Sequence, residues 1–408
     1  MPDSRSHPHW LRCTWRLVFP SLVAGLIFVS VQDSQSQVGS VKTVFVIMMS
    51  GRSWSSLKGG SNSTYINSLL PVAAYTSTYF SVPGGHPMEA DYFQLEAGSD
   101  LGVALDASPA VNHQSTTKHL VSLLDGVGIS WKTYQEGIVG NGCPITDGGS
   151  YITKSNPFVF FDDVTNNLSS QSLGCIAHVR PYTELAADLS ANNVARYNFI
   201  RPNLCDSMLR CDAGLDSVSQ GDKWLSQEVP KIVTSSVYKD GGALFIIWDH
   251  GDVGNDGPVG MILLSPFAKK GYTNKVRYTH ASTLRTVQEI FGLTPLLGDA
   301  ANQSSLEDLF LTQGTDNLSA TVTWTASPGA STYKVKRGVS ADGPFETIAT
   351  GIVSTSYADR SISPGATYFY LVSAVNGSGE SPPSSPISLT TTGSVPPMPT
   401  NVSVKQGP

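Results

Sequence analysis

The sequence is poor in charge. Only 14% of its 408 residues are Asp, Glu, Lys or Arg, and 26 Lys and Arg face 32 Asp and Glu, for a formal net charge of −6. It has no basic run or stripe, and that excludes the electrostatic footprint of a nucleic-acid binder. Cysteine is scarce, at five residues. None are spaced CxxC and no histidine cluster stands near them, so a zinc-knuckle reading has little to rest on. Beyond one stretch near the N-terminus, no apolar run is long enough to cross a bilayer.

That one stretch is ordered like an export signal. Arg5, Arg12 and Arg16 precede the apolar segment Leu17 to Val31, and the polar run Gln32 to Gln37 follows. The expectation is a signal peptide and leader over 1–38 and a secreted product, extracellular or periplasmic; a retained membrane anchor is the alternative. Cys13 falls inside this leader. Cys143, Cys175, Cys205 and Cys211 remain, and an even count in an exported chain predicts two disulfides. Three pairings exist. The short spacing of Cys205 and Cys211 favours their closing one small loop, which leaves Cys143 with Cys175.

Residues 39–312 mix apolar runs with helical stretches. VFVIMM (Val44 to Met49), ALFIIW (Ala243 to Trp248) and GMILLS (Gly260 to Ser265) read as strands buried on both faces. Thr116 to Leu124 and Ala281 to Phe291 read as amphipathic helices. The alternation predicts an α/β unit, a mostly parallel sheet flanked by helices. Over 313–393 the texture changes to short alternating strands: VTWTAS, TYKVKRG, FETIAT, TSYADR and TYFYLVSAVN. These predict an all-β sandwich, with Trp324 in its core and Tyr368 at a tyrosine corner. The segment resembles a fibronectin type III domain, although NLSATVTW leaves little room for the opening edge strand. Residues 394–408 read as a Pro-rich linker or the start of a truncated second sandwich.

Candidate chemistry sits on a few loops. WDHG carries Asp249 and His250 off the end of the strand ALFIIW, where α/β proteins place their sites. YTHAS puts His280 at a helix start. GGHPMEADYF holds His86, Met88, Glu89 and Asp91. An Asp-His pair at a strand end plus a distant His is a reasonable metal half-site. Arg52 could face a phosphate, or pair with a surface carboxylate. Asn112 and His113 stand before a predicted helix, where an anion or a capping role would suit them. Asp162 and Asp163 match no calcium-loop spacing. Trp131, Trp224 and Trp248 read as packing residues.

The ordered blocks KTVFVIMM, NHQSTTKHL, GISWKTYQEG, NPFVFFDDV, CIAHVRPYTEL, ARYNFIRPNLCDSM, DGPVGMILLSP and YTHASTLRTVQEIFG resemble the secreted bacterial phosphoesterases, acid phosphatases and phospholipases C of the alkaline phosphatase superfamily. The likeness runs from about Lys42 to Phe310. It implies hydrolysis of a phosphate ester or phospholipid with a divalent metal: zinc, calcium or manganese. It also implies specific departures. The family's first strand ends in Glu-Asn, whose Glu binds metal; here stand Ser50 and Gly51. The family's nucleophilic Ser lies in a His-Pro-Ser-Glu segment; here His86 and Pro87 are followed by Met88. The family's Trp-Asp-Glu is Trp248, Asp249 and His250, and the later His is kept as His280. His86 and His113 keep their places beside the site. A thioether has no proton to lose and cannot attack phosphorus as an alkoxide does. The expectation is therefore an impaired hydrolase, with Asp249, His250 and His280 as a residual metal site and Ser50 or Ser99 as displaced hydroxyls. The alternative is a non-catalytic extracellular protein that binds a polymer or surface ligand through its cleft and sandwich.

Overall fold

The computed structural model describes residues 28–31, 36–81, 87–212, 214–252, 257–312, 320–359, 361–362 and 365–391. His86 lies outside the described residues, as does the leader before Phe28. The chain divides into two compact units: Gln35–Gln313, and Gly314–Pro408 together with Met1–Ser34.

The first unit is built on an eight-stranded sheet. In chain order its strands are β1 (Thr43–Met49), β2 (Ala74–Thr76), β3 (Trp131–Gln135), β4 (Val179–Pro181), β5 (Tyr197–Arg201), β6 (Gly242–Trp248), β7 (Met261–Leu264) and β8 (Tyr272–Asn274). Their spatial order is β8-β2-β7-β6-β1-β5-β3-β4. All neighbours are parallel except β7, which runs antiparallel to both β2 and β6. Every residue of β1, β5, β6 and β7 is buried, so the sheet is covered on both faces, and β1, β6 and β7 read as near-continuous apolar sequence while β5 carries Asn198 and Arg201. The three runs expected to be buried strands are β1, β6 and β7.

Three helices matter for the site: α1 (Met88–Ala97), α2 (Ser217–Thr234) and α3 (His280–Phe291). Helix α3 starts on a capping box between Thr279 and Ser282 and stops at Gly292, whose φ of 65° the absence of a Cβ permits. The predicted helix over Thr116 to Leu124 is shifted: the helix is Leu120–Gly126, and His119 is extended. His119 is held outside it by stacking on Phe161 at 3.8 Å and by the Asp163 carboxylate 3.0 Å from Nε2. Asn112 likewise ends a four-residue helix, Pro109–Asn112, instead of preceding one. Both disulfides, Cys143–Cys175 and Cys205–Cys211, have the expected pairing.

The second unit is all-β. Thr332–Gly338 pairs antiparallel with Glu346–Ile352 and Thr367–Asn376, and the latter also takes Gly379–Glu380 and Ile387–Thr390. A second sheet holds Ala320–Thr323 against Ser356–Asp359. Val322, Trp324, Tyr333, Val335 and Tyr370 form the buried core, with Trp324 edge-on to Tyr333 at 5.2 Å. The edge strand that the local sequence leaves little room for comes from elsewhere. Phe28–Val31, the end of the apolar leader stretch, pairs antiparallel along the whole of Ala320–Thr323.

Candidate functional site

Strands β1, β5 and β6 are parallel neighbours, so they deliver their C-terminal residues to one edge of the sheet. Met49 sits opposite Trp248 across β1 and β6, while Ile47 sits opposite Ile200 across β1 and β5. Ser50 and Gly51, Asp249 and His250, and Arg201 therefore emerge side by side.

Asp249 is the centre of this edge. It is fully buried. Its Oδ2 accepts from Ser50 Oγ at 2.7 Å and from the Tyr92 hydroxyl at 3.1 Å. Its Oδ1 accepts from the backbone N–H of Gly51 at 3.1 Å and of His250 at 2.7 Å. His250 Nδ1 stands 2.8 Å from the same oxygen. Burial alone would push the carboxyl up, but the charges of His250 and Arg201 and the bonds from His250 and Ser50 outweigh it and hold it well below the ordinary range. The Asp249 charge in turn raises His250.

The loop geometry follows from small residues. Gly51 has φ 63°, and a Cβ there would lie 3.2 Å from Leu209 Cδ1 and 3.7 Å from His250 Nε2. Ser50 is fully buried, so its hydroxyl serves Asp249 and is not presented to solvent. Ser99 Oγ accepts from the Leu101 N–H in its own turn. Met88 is the first residue of α1 and is 8% exposed. Next to it, Glu89 accepts from Ala107 N and Asn112 Nδ2 at 2.7 and 2.6 Å. Burial nevertheless outweighs those bonds and raises its carboxyl to about 7.

The remaining expected residues are engaged elsewhere. His280 is buried, with Nε2 3.1 Å from the Trp248 carbonyl and Nδ1 3.5 Å from Asp91 Oδ1. His113 Nδ1 lies 2.8 Å from Asp162, which also accepts from Ser115 Oγ at 2.6 Å. Arg52 meets the Asp252 carboxylate at 3.6 Å and donates to the Gly51 carbonyl, which is the surface-pairing alternative. Asp249 and His250 are thus brought together, while His280 turns its Nε2 to a backbone oxygen.

This donor set does not fit a divalent cation. Asp249 already accepts four hydrogen bonds, His280 faces a carbonyl that requires Nε2 to carry a proton, and Ser50 offers only a neutral hydroxyl that is donated to Asp249. Among the described residues no three His, Cys, Asp or Glu side chains converge as ligands would.

Two residues that sequence reasoning passed over belong to the same edge. Tyr92, fully buried on α1, donates to Asp249, and Arg201 closes β5 with its guanidinium carbon 5.7 Å from the Tyr92 ring centroid. The available signal was the run YNFIR, an arginine ending an otherwise buried strand, where a buried charge demands a partner.

Residues 45–294 match the model described as the Phosphoesterase family. A probable acid phosphatase of Kluyveromyces lactis is 28% identical over 225 residues, covering 52% of this chain and 50% of that protein. A phosphate-repressible acid phosphatase of Penicillium chrysogenum is 24% identical, covering 54% and 52% respectively. The chain spans about half the length of these curated relatives. Among solved structures, a Fn3-like protein from Clostridium thermocellum is 42% identical over 19% of this chain and 81% of that one, with a TM-score of 0.18.

Proposed function

Since the chain belongs to the phosphoesterase family, we propose that its first unit is a phosphoric-ester hydrolase scaffold whose own turnover is impaired. One observation carries the reading. At the edge where attack and charge stabilisation belong, the only buried carboxylate of the Trp248-Asp249-His250 loop is locked by hydrogen bonds to Ser50, Gly51, Tyr92 and His250. The position that resembles the nucleophile holds the thioether Met88. Among the described residues neither an activated oxygen nor an open anionic cradle remains to drive phosphoryl transfer. The substrate class by family is a phosphate ester. We place the product outside the cytoplasm on the leader pattern and the two disulfides, and read the second unit as a fibronectin type III-like module.

The test is hydrolysis of an aryl phosphate by the purified full chain with zinc, manganese or calcium supplied in turn. Turnover indistinguishable from buffer is expected with each. Rapid hydrolysis that is lost in His250→Ala and His280→Ala would overturn the reading and restore a residual metal route. The locked Asp249 loop also suits a second role, binding a phosphate-like ligand without cleaving it. Equilibrium binding of a non-hydrolysable aryl phosphonate, without turnover of the matching ester, would favour it.

A further inference from the structure

The edge of the sheet poses a charge problem. Asp249 is fully buried, with the imidazole Nδ1 of His250 2.8 Å from its Oδ1, and a buried carboxylate is strongly unfavourable unless cations or donors surround it. In a metal-dependent site a cation would answer it, yet the donor set here does not fit one. Arg201 is a buried cation of the same edge, at 2% exposure, where Asp91 is a further buried carboxylate beside His280. The Arg201 Nη1 donates to the Met48 carbonyl at 2.8 Å, on the strand that carries Ser50. Its Nε and Nη2 are buried without a hydrogen-bond partner among the described residues. A guanidinium so poorly bonded is stable in the interior only through a nearby negative charge. Tyr92 lies between the two groups. Its hydroxyl bonds Asp249 and its ring faces the Arg201 guanidinium.

We infer that Arg201 is a built-in counter-cation that takes over the electrostatic role of a bound metal ion, so that this sheet edge is assembled and stable without one. Arginine suits this position because it stays protonated even when buried. The charge is delivered by β5, the neighbour of β1 on the side opposite β6, so the cation and Asp249 flank the altered Ser50–Gly51 loop. Arg201 acts through Asp249 and is a positioning residue.

The inference is tested apart from turnover, so its failure is separable from failure of the impaired-hydrolase reading. The full chain, purified without chelator, is assayed for metal by elemental analysis and melted with EDTA or with excess zinc, manganese or calcium. No stoichiometric divalent metal and a Tm constant to within about 1 °C are expected, because a ligand stabilises only what it binds. Arg201→Met is expected to lower Tm by several degrees, and Arg201→Lys, which retains the charge, by less. The double variant Arg201→Met with Asp249→Asn is expected to fall by less than the sum of its single variants, as coupled charges require. A bound cation at one per chain, or a chelator-induced fall in Tm, overturns the inference even if Arg201→Met does not fold. Equal losses for Met and Lys with an additive double variant overturn it as well, since they would mean that Arg201 only fills space.

Discussion

Replacing Glu96 by glutamine offers a quantitative test of the buried helix α1. Glu96 is fully buried, its Oε1 accepts from the Tyr197 hydroxyl at 3.2 Å, and its Oε2 has no hydrogen-bond partner among the described residues. Burial raises its carboxyl from 4.5 to about 8, only partly opposed by the Tyr197 bond. Because the folded value is the higher one, the folded chain holds a proton that the unfolded chain has released between those two values. Stability from this group is therefore intact at or below pH 4.5 and falls as pH rises toward 8. At about 1.4 kcal/mol per pH unit, the loss at pH 7 is roughly 3 kcal/mol, or on the order of 6 to 10 °C in Tm for a unit of this size. Glutamine keeps the acceptor for Tyr197 and cannot ionise. Thermal unfolding from pH 5 to 8.5 is the assay. Equal stability near pH 5 and a widening advantage for Glu96→Gln above it are expected. Parallel profiles for the two proteins would refute the reasoning, because they would mean that Glu96 does not change its protonation on folding.

Other perturbations have worked expectations. At Gly260, φ is 78° and an added Cβ would lie 2.0 Å from Trp54 Cε3, so Gly260→Ala is expected to cost about 3 kcal/mol or more by chemical denaturation. Ser50→Ala removes a hydrogen bond to a buried carboxylate and is expected to lower stability by about 2 kcal/mol, measured by urea unfolding at neutral pH. Cys143→Ser with Cys175→Ser opens a link across 32 residues and is expected to cost about 3 to 4 kcal/mol, a difference that should vanish when both proteins are melted under reducing conditions.

The sheet was legible because central parallel strands must be apolar on both faces, and β1 and β6 are written that way. The disulfides were legible from count and spacing. What lies between elements was harder. His119 belongs by pattern to the following helix, but stacking on Phe161 and the bond to Asp163 override local preference. Asp249 and His250 were visible as a pair at a strand end. Their partners were not, because Tyr92 and Arg201 come from α1 and β5, far away in sequence. A one-dimensional pattern can flag a buried charge but cannot say which distant group neutralises it. The same holds for His280, whose place in YTHAS resembles a ligand while its ring turns to the Trp248 carbonyl.

The ladder between Phe28–Val31 and Ala320–Thr323 ties the end of the apolar leader stretch to the second unit, with Phe28 opposite Thr323 and Val31 opposite Ala320. Export that removes the leader also removes this strand, and leaves Ala320–Thr323 with the ladder to Ser356–Asp359 alone. The backbone edge so exposed is a template onto which another extended segment can add.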